Sequence, residues 1–196
     1  MVALASIVLI GGVAVPRADA GTTYTTLPCI ADTYIDEGNA STNYGTEDYL
    51  RCGGPNYSGS NRRDTLVKFD LSGISEANGP IVSATLYLLE DDYTGIPNWR
   101  RVWFVTSSWS EGSVTWNSRP SYDEGSETVD QDTWWSGSVL DWVDRWIDDE
   151  DANYGLWLTV PPLDTATSHV DWVSRESSTS GNRPYIYIVQ QTMGGP

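Results

Sequence analysis

A run of four acidic residues at the end of a helical stretch offers ligands for a metal ion. Asp149, Asp151 and Asn153 fall at the first, third and fifth positions, which is the oxygen spacing of calcium loops. The match is partial, because an EF-hand loop would have Gly and Glu where this chain has Tyr154 and Val160. We favour a solvated acidic turn without an ion over a calcium site here. Calcium is still the one cofactor that the sequence suggests, with these three residues as its ligands.

Aromatic side chains are the second group of residues that suit a binding site. The chain has ten Trp and eleven Tyr but only two Phe. They bring large contact areas and a polar group, which is typical of interfaces. Trp99, Trp134 and Trp135 lie in polar surroundings, so we expect them to contact a sugar or another subunit. Because neighbours on a strand point to opposite faces, at least one of Trp134 and Trp135 faces outward. Trp109 and Trp116 lie on either side of a polar loop. Either they stack on sugar rings, or they are structural plugs that pack against the sandwich and hold the loop in place. We favour the plug interpretation.

Residues for catalysis are scarce in this sequence. His169 is the only histidine, which excludes multi-histidine zinc sites and disfavours a Ser-His-Asp triad. No G-x-S-x-G motif and no phosphate loop occurs. Carboxylate pairs suited to glycoside hydrolysis are expected by chance among 27 acidic residues. We therefore predict a protein that is not an enzyme.

The net charge of −16 restricts the partners of the chain. Phosphate recognition requires clustered Lys and Arg, so we expect no nucleic-acid partner. Anionic membrane surfaces would repel such a protein as well. An acidic surface favours solubility, cation binding or a salty medium.

Residues 1–20 form a hydrophobic leader with two possible fates. Residues 1–15 carry no charge and are too few to span a bilayer, which needs about 20 residues. The Ala18-Asp19-Ala20 motif resembles a signal-peptidase site, although no basic residue precedes the apolar run. The leader is therefore a cleaved signal peptide or a retained strand centred on Ile7, Val8, Leu9 and Ile10. We expect an extracellular or cell-surface protein with no membrane span in its mature form.

If the protein is exported, its two cysteines can form a disulfide and its two glycosylation sequons can be modified. Cys29 and Cys52 are the only cysteines, and in an oxidising compartment they would form one disulfide, the alternative being two buried thiols. Asn39 and Asn56 each begin an N-x-Ser sequon in a polar stretch, so they are candidate glycosylation sites.

Short β-prone segments separated by Gly, Ser, Asn and Asp clusters predict an all-β protein. We expect strands near 23–35, 48–53, 64–71, 80–90, 101–107, 126–135, 154–161, 168–175 and 184–190. One amphipathic helix is expected over 137–149, where apolar residues recur at helical spacing. The sequence thus predicts one antiparallel β-sandwich domain over residues 21–196.

Several segments together resemble the DNRLRE (disaggregatase-related) family across residues 30–189. They are Ala31 to Ile35, Asn43 to Gly45, Leu66 to Ile74, Ala84 to Leu88, Trp109 to Pro120, Asn153 to Leu156, Ser174 to Ser177, and Arg183 with Pro184. The resemblance implies an extracellular, jelly-roll-like β-sandwich. It also implies a non-catalytic surface module, linked in some members to polysaccharides and in others to cell-surface architecture.

Two functions from different classes agree with these features. The first is a subunit of a surface filament or layer, in which residues 2–15, or Thr22 to Leu27 after cleavage, add a strand to the next subunit. The second is a secreted carbohydrate-binding module that recognises an extracellular polysaccharide through exposed Trp and Tyr. The sequence alone favours the filament subunit.

Overall fold

Antiparallel strands dominate the computed structural model, which describes residues 21–54, 61–94, 99–129, 134–160 and 169–192. Its strands are β1 (Thr22–Asp36), β2 (Tyr49–Gly53), β3 (Arg63–Phe69), β4 (Ile81–Thr94), β5 (Trp99–Val105), β6 (Tyr122–Val129), β7 (Trp134–Ser138), β8 (Leu156–Thr159), β9 (His169–Val173) and β10 (Tyr185–Gln191). Within these ranges the only α-helix is α1 (Leu140–Ile147). The prediction of an all-β sandwich with one short helix is confirmed.

Two long strands connect the two halves of the fold. Residues 22–28 of β1 pair with β10, and residues 29–36 pair with β3. Likewise β4 pairs with β10 and β7 up to Leu89 and with β9 beyond it. We call the four strands in the order β1-β10-β4-β7 sheet A. Sheet B consists of the second halves of β1 and β4 together with β2, β3, β5, β6, β8 and β9. The residues between the sheets form the core.

The main core is lined by strands whose side chains alternate between inside and outside. In β10, Ile186 and Ile188 are fully buried while Tyr185 and Tyr187 are only partly buried. Large buried side chains from both sheets and from α1 fill the interior: Phe69, Leu86, Leu88, Phe104, Trp135, Trp146 and Trp172. Burying a side chain of this size stabilises the fold by roughly 1.5–3 kcal/mol.

A second core lies on the opposite face of sheet B. Its buried members are Ile35, Leu66, Val105, Val114 and Trp157, and Trp103, Trp109, Trp116 and Tyr154 pack against it. The connection 106–121 between β5 and β6 supplies three of these side chains, so this long loop covers the sheet. Both faces of β3 are therefore buried, which its alternating sequence does not reveal.

The predicted helix is present but shorter than expected. Trp142, Val143 and Trp146 are its buried side chains. Residues 137 and 138 belong to β7 instead, where they pair with β4. The predicted strand 126–135 is wrong as one element, because β6 pairs with β5 in sheet B whereas β7 pairs with β4 in sheet A.

The predicted disulfide between Cys29 and Cys52 is not formed, and both residues are free thiols. Cys29 lies opposite Phe69 at one end of β3, whereas Gly53, next to Cys52, lies opposite Arg63 at the other end. The two cysteines are thus about 17 Å apart along the strand. A disulfide requires Cα atoms within about 7 Å. Burial instead raises the pKa of both thiols.

Candidate functional site

Five aromatic side chains lie on the outer face of sheet A and form what we call the aromatic strip. The strip consists of Tyr24 in β1, Tyr185 and Tyr187 in β10, Tyr87 in β4 and Trp134 in β7. Each occupies an outward position of its strand, where residues alternate with buried ones such as Leu86, Trp135 and Ile186. All four strands of the sheet therefore contribute to one surface.

The rings of the strip follow one another across the sheet. Tyr24 and Tyr187 stack with ring centroids 6.0 Å apart. Tyr185 lies directly opposite Tyr87, and their rings stack at 5.0 Å. Trp134 meets the ring of Tyr185 edge-on at 5.6 Å. The rings are thus in fixed positions before any ligand arrives.

None of the outward positions that the structure describes in the four strands of sheet A carries a charged side chain. The other outward positions of the four strands carry hydroxyl, amide or apolar side chains: Thr22, Thr26, Pro28, Ser83, Thr85, Leu89, Ser136, Ser138, Val189 and Gln191. Burial raises the pKa of Tyr185, and the neighbouring phenols of Tyr87 and Tyr187 add to the rise, so this phenol remains protonated. An uncharged face is notable in a chain with 27 acidic and 11 basic residues.

The three tryptophans predicted to make contacts have different locations. Trp134 is partly exposed within the strip, and its neighbour Trp135 points the other way, as the alternation predicts. The prediction for Trp135 is wrong, because its side chain is 0% exposed. It packs in the core, where its ring centroid lies 6.3 Å from that of Trp172. Trp99 begins β5 with its backbone paired to Val129, and its side chain is outside the described part of the structure.

A second group of aromatic residues surrounds the loop 106–121. The indole of Trp109 donates to the carbonyl of Tyr154 at 2.7 Å, and that of Trp103 donates to Thr159 Oγ1 at 3.1 Å. The guanidinium of Arg119 lies 4.6 Å from the ring centre of Trp116. These contacts support the plug interpretation of Trp109 and Trp116, since both rings hold the loop to the second core.

The predicted calcium ligands are engaged by protein groups. Asp151 forms an ion pair with Arg145 at 2.6 Å, which balances part of the acidic turn after α1. The side chain of Asn153 donates to the carbonyl of Phe69 and accepts from the amide of Gly155. Asp149 is exposed, with a left-handed backbone (φ 56°). A calcium ion at this turn stays a prediction.

Other predicted sites fall partly outside the described residues. Asn39 is exposed, and its amide donates to Asp36 at 3.1 Å, whereas Asn56 is outside the described ranges. The proposed donor residues Ile7, Val8, Leu9 and Ile10 are outside them too. The alternative donor, Thr22 to Leu27, pairs with β10 of its own chain. Glycosylation and strand donation stay predictions.

Sequence reasoning missed the four tyrosines of the strip. The signal was present in the Tyr-x-Tyr alternation of β10 and in one outward Tyr in the sheet A part of β1 and of β4. Tyrosines at β-prone positions are common, however, and only the register shows that these four lie side by side.

Comparison with protein families identifies the family of the chain. The model of carbohydrate-binding module family 96 matches residues 23–190, which is most of the chain, so the protein belongs to that family. Members of such a family bind carbohydrate and do not catalyse its cleavage themselves. Among curated proteins, no sequence matches this chain significantly. In the described ranges, no helix has the length and apolar character needed to cross a bilayer.

Proposed function

We propose that this protein binds an extracellular polysaccharide through the aromatic strip of sheet A. The observation that carries the proposal is the alignment of five aromatic side chains on one uncharged sheet face. The family match supports carbohydrate binding over the filament subunit that the sequence alone favoured. Self-association through a donor strand has no support among the described residues.

The shape of the strip suits a linear chain of sugar rings. Sugar rings have apolar C–H faces and polar edges, which match the flat face and the hydroxyl of Tyr. The ring distances of 6.0 and 5.6 Å, with about 7 Å between the two tyrosines of β10, give the strip a length of about 19 Å between its end rings. Several sugar rings would contact it together, so weak single contacts add up along the chain.

The charge distribution favours an uncharged polysaccharide. The net charge of −16 repels acidic glycans at long range. No group of opposite charge on the strip compensates for that repulsion within the described positions of sheet A. The hydroxyls of Thr26 and Thr85 lie on the same face as the rings, and such groups hydrogen-bond sugar hydroxyls. An extracellular location follows from this function.

Affinity electrophoresis of the protein through gels containing different neutral polysaccharides tests the proposal. The chain provides a matched pair of tyrosines, because Tyr24 in the strip and Tyr93 in the sheet B part of β4 are both 64% exposed. Tyr24→Ala is expected to reduce the retardation of the protein, and Tyr93→Ala to leave it unchanged. No retardation of the unmodified protein in any gel, or equal losses in both variants, would contradict the proposal.

A further inference from the structure

Three carboxylates from distant parts of the chain meet at one end of the second half of β1. They belong to Asp32 in β1, Glu111 in the loop 106–121 and Glu176 in the turn after β9. One oxygen of each lies within 4.8 Å of an oxygen of the other two. The fold thus concentrates negative charge where three separate segments join.

Asp32 is the buried member of this group, with 1% of its surface exposed. Its Oδ2 accepts a hydrogen bond from the backbone amide of Arg175 at 2.8 Å. Its Oδ1 is fully buried and has no hydrogen-bond partner. A buried carboxylate oxygen without a partner is costly, so the site is incomplete as the protein atoms alone define it.

The positive charge nearby is insufficient for three carboxylates. Arg175 donates through two nitrogens to Glu111, each at 2.7 Å, and its guanidinium lies 3.2 Å from Glu176. Glu111 also accepts from the backbone amide of Asp32 at 2.8 Å. With three carboxylates and one guanidinium ionised, two negative charges remain uncompensated.

We propose that a calcium ion binds between Asp32, Glu111 and Glu176. Calcium binds carboxylate oxygens at about 2.3–2.6 Å, so two oxygens on opposite sides of the ion lie about 4.8 Å apart. The three oxygens of the cluster therefore fit within one coordination shell. An all-oxygen ligand set suits a hard cation rather than zinc, which prefers nitrogen and sulfur ligands. The divalent charge balances the two uncompensated charges.

The burial of Asp32 agrees with a cation in this position. The carboxylates of Glu111 and Glu176 lie close to the buried carboxylate of Asp32 and repel its negative charge. A bound cation removes this repulsion. The ion would join β1, the loop 106–121 and the turn after β9. The aromatic strip lies on sheet A, so ion binding and polysaccharide binding are separate properties.

Isothermal titration of metal-stripped protein with calcium chloride, together with thermal unfolding, tests the site. We expect one ion per chain and, at saturating calcium, a rise in the unfolding temperature of about 5–10 °C. Glu176→Gln should abolish both effects, because it removes one negative ligand from a partly exposed position. Asp32→Asn should do the same and serves as the second variant.

The acidic turn after α1 supplies the matched control. Asp149→Asn removes one exposed carboxylate of that turn and is expected to leave the ion between Asp32, Glu111 and Glu176, and its temperature shift, unchanged. No calcium binding to the stripped protein would overturn the proposal and would indicate that Asp32 carries a proton instead. Equal binding by Glu176→Gln, or a loss of binding in Asp149→Asn, would also overturn it.

Discussion

The aromatic strip and the second core use the same kinds of side chain in different ways. In the second core, Trp157 is 1% exposed, and Trp109 and Trp103 donate their indole hydrogens to Tyr154 and Thr159. In the strip, the rings stack on one another and remain accessible, with Tyr24 64% exposed. Aromatic residues therefore indicate a binding surface only where no loop covers them.

The charges around the two regions differ as well. Arg119 and Arg62 lie over the ring of Trp116, at 4.6 and 5.9 Å from its centre. The strip has hydroxyls around it instead. Cation–π contacts stabilise a fixed ring, whereas an uncharged surface leaves rings available to a neutral ligand. We expect changes in the second core to affect stability and changes in the strip to affect binding.

The largest expected effect is on stability. Trp157→Ala removes a buried indole whose ring centroid lies 4.4 Å from that of Tyr122. The free energy of unfolding should therefore fall by about 3–5 kcal/mol. Chemical denaturation monitored by circular dichroism measures the change. Tyr93→Ala is the control and should have little effect. If Trp157→Ala instead abolished binding without destabilising the fold, the roles of the two regions would be reversed.

The next effect is on affinity. Tyr185→Ala removes the ring that contacts both Tyr87 and Trp134, so it interrupts the strip near its middle. We expect the affinity for a neutral oligosaccharide to fall roughly 10- to 30-fold, as at a central interface residue. Because Tyr185 is only partly buried, stability should change by about 1 kcal/mol or less. Calorimetric titration measures the affinity, and unchanged affinity would contradict the assignment.

A smaller effect separates packing from hydrogen bonding at the loop. Trp109→Phe keeps an aromatic ring against the second core but removes the indole hydrogen bonded to Tyr154. The free energy of unfolding should fall by about 1–2 kcal/mol. Affinity for the oligosaccharide should remain as in the unmodified protein. A loss of affinity without a loss of stability would restore Trp109 as part of a sugar platform.

The smallest expected effect is that of pH and salt on binding. Burial raises the pKa of Tyr185 above the ordinary value of 10.0, so this phenol stays protonated up to at least that pH. With no charged residue on the described face of sheet A, affinity should be constant between about pH 5 and 9. It should also be insensitive to ionic strength. Strong dependence on salt would instead indicate an acidic ligand held by arginines.

The sequence predicts the fold better than it predicts the site. Alternation in β10, with Ile186 and Ile188 inside, is a local pattern and is readable directly. The strip depends on the register of four strands, two of them from opposite ends of the chain. The burial of Trp135 also depends on which sheet β7 joins. Cys29 and Cys52 could be placed apart only after the pairing of β3 was known.

The most direct test of the account is one nuclear magnetic resonance titration that observes the tryptophan indole signals during addition of a neutral oligosaccharide. Trp134 belongs to the strip, whereas Trp109 and Trp103 hydrogen-bond within the second core. We predict that the Trp134 signal shifts with increasing ligand and that the other two remain in place. Shifts of Trp109 and Trp103 with an unchanged Trp134 would contradict the central claim that the exposed face of sheet A binds the polysaccharide.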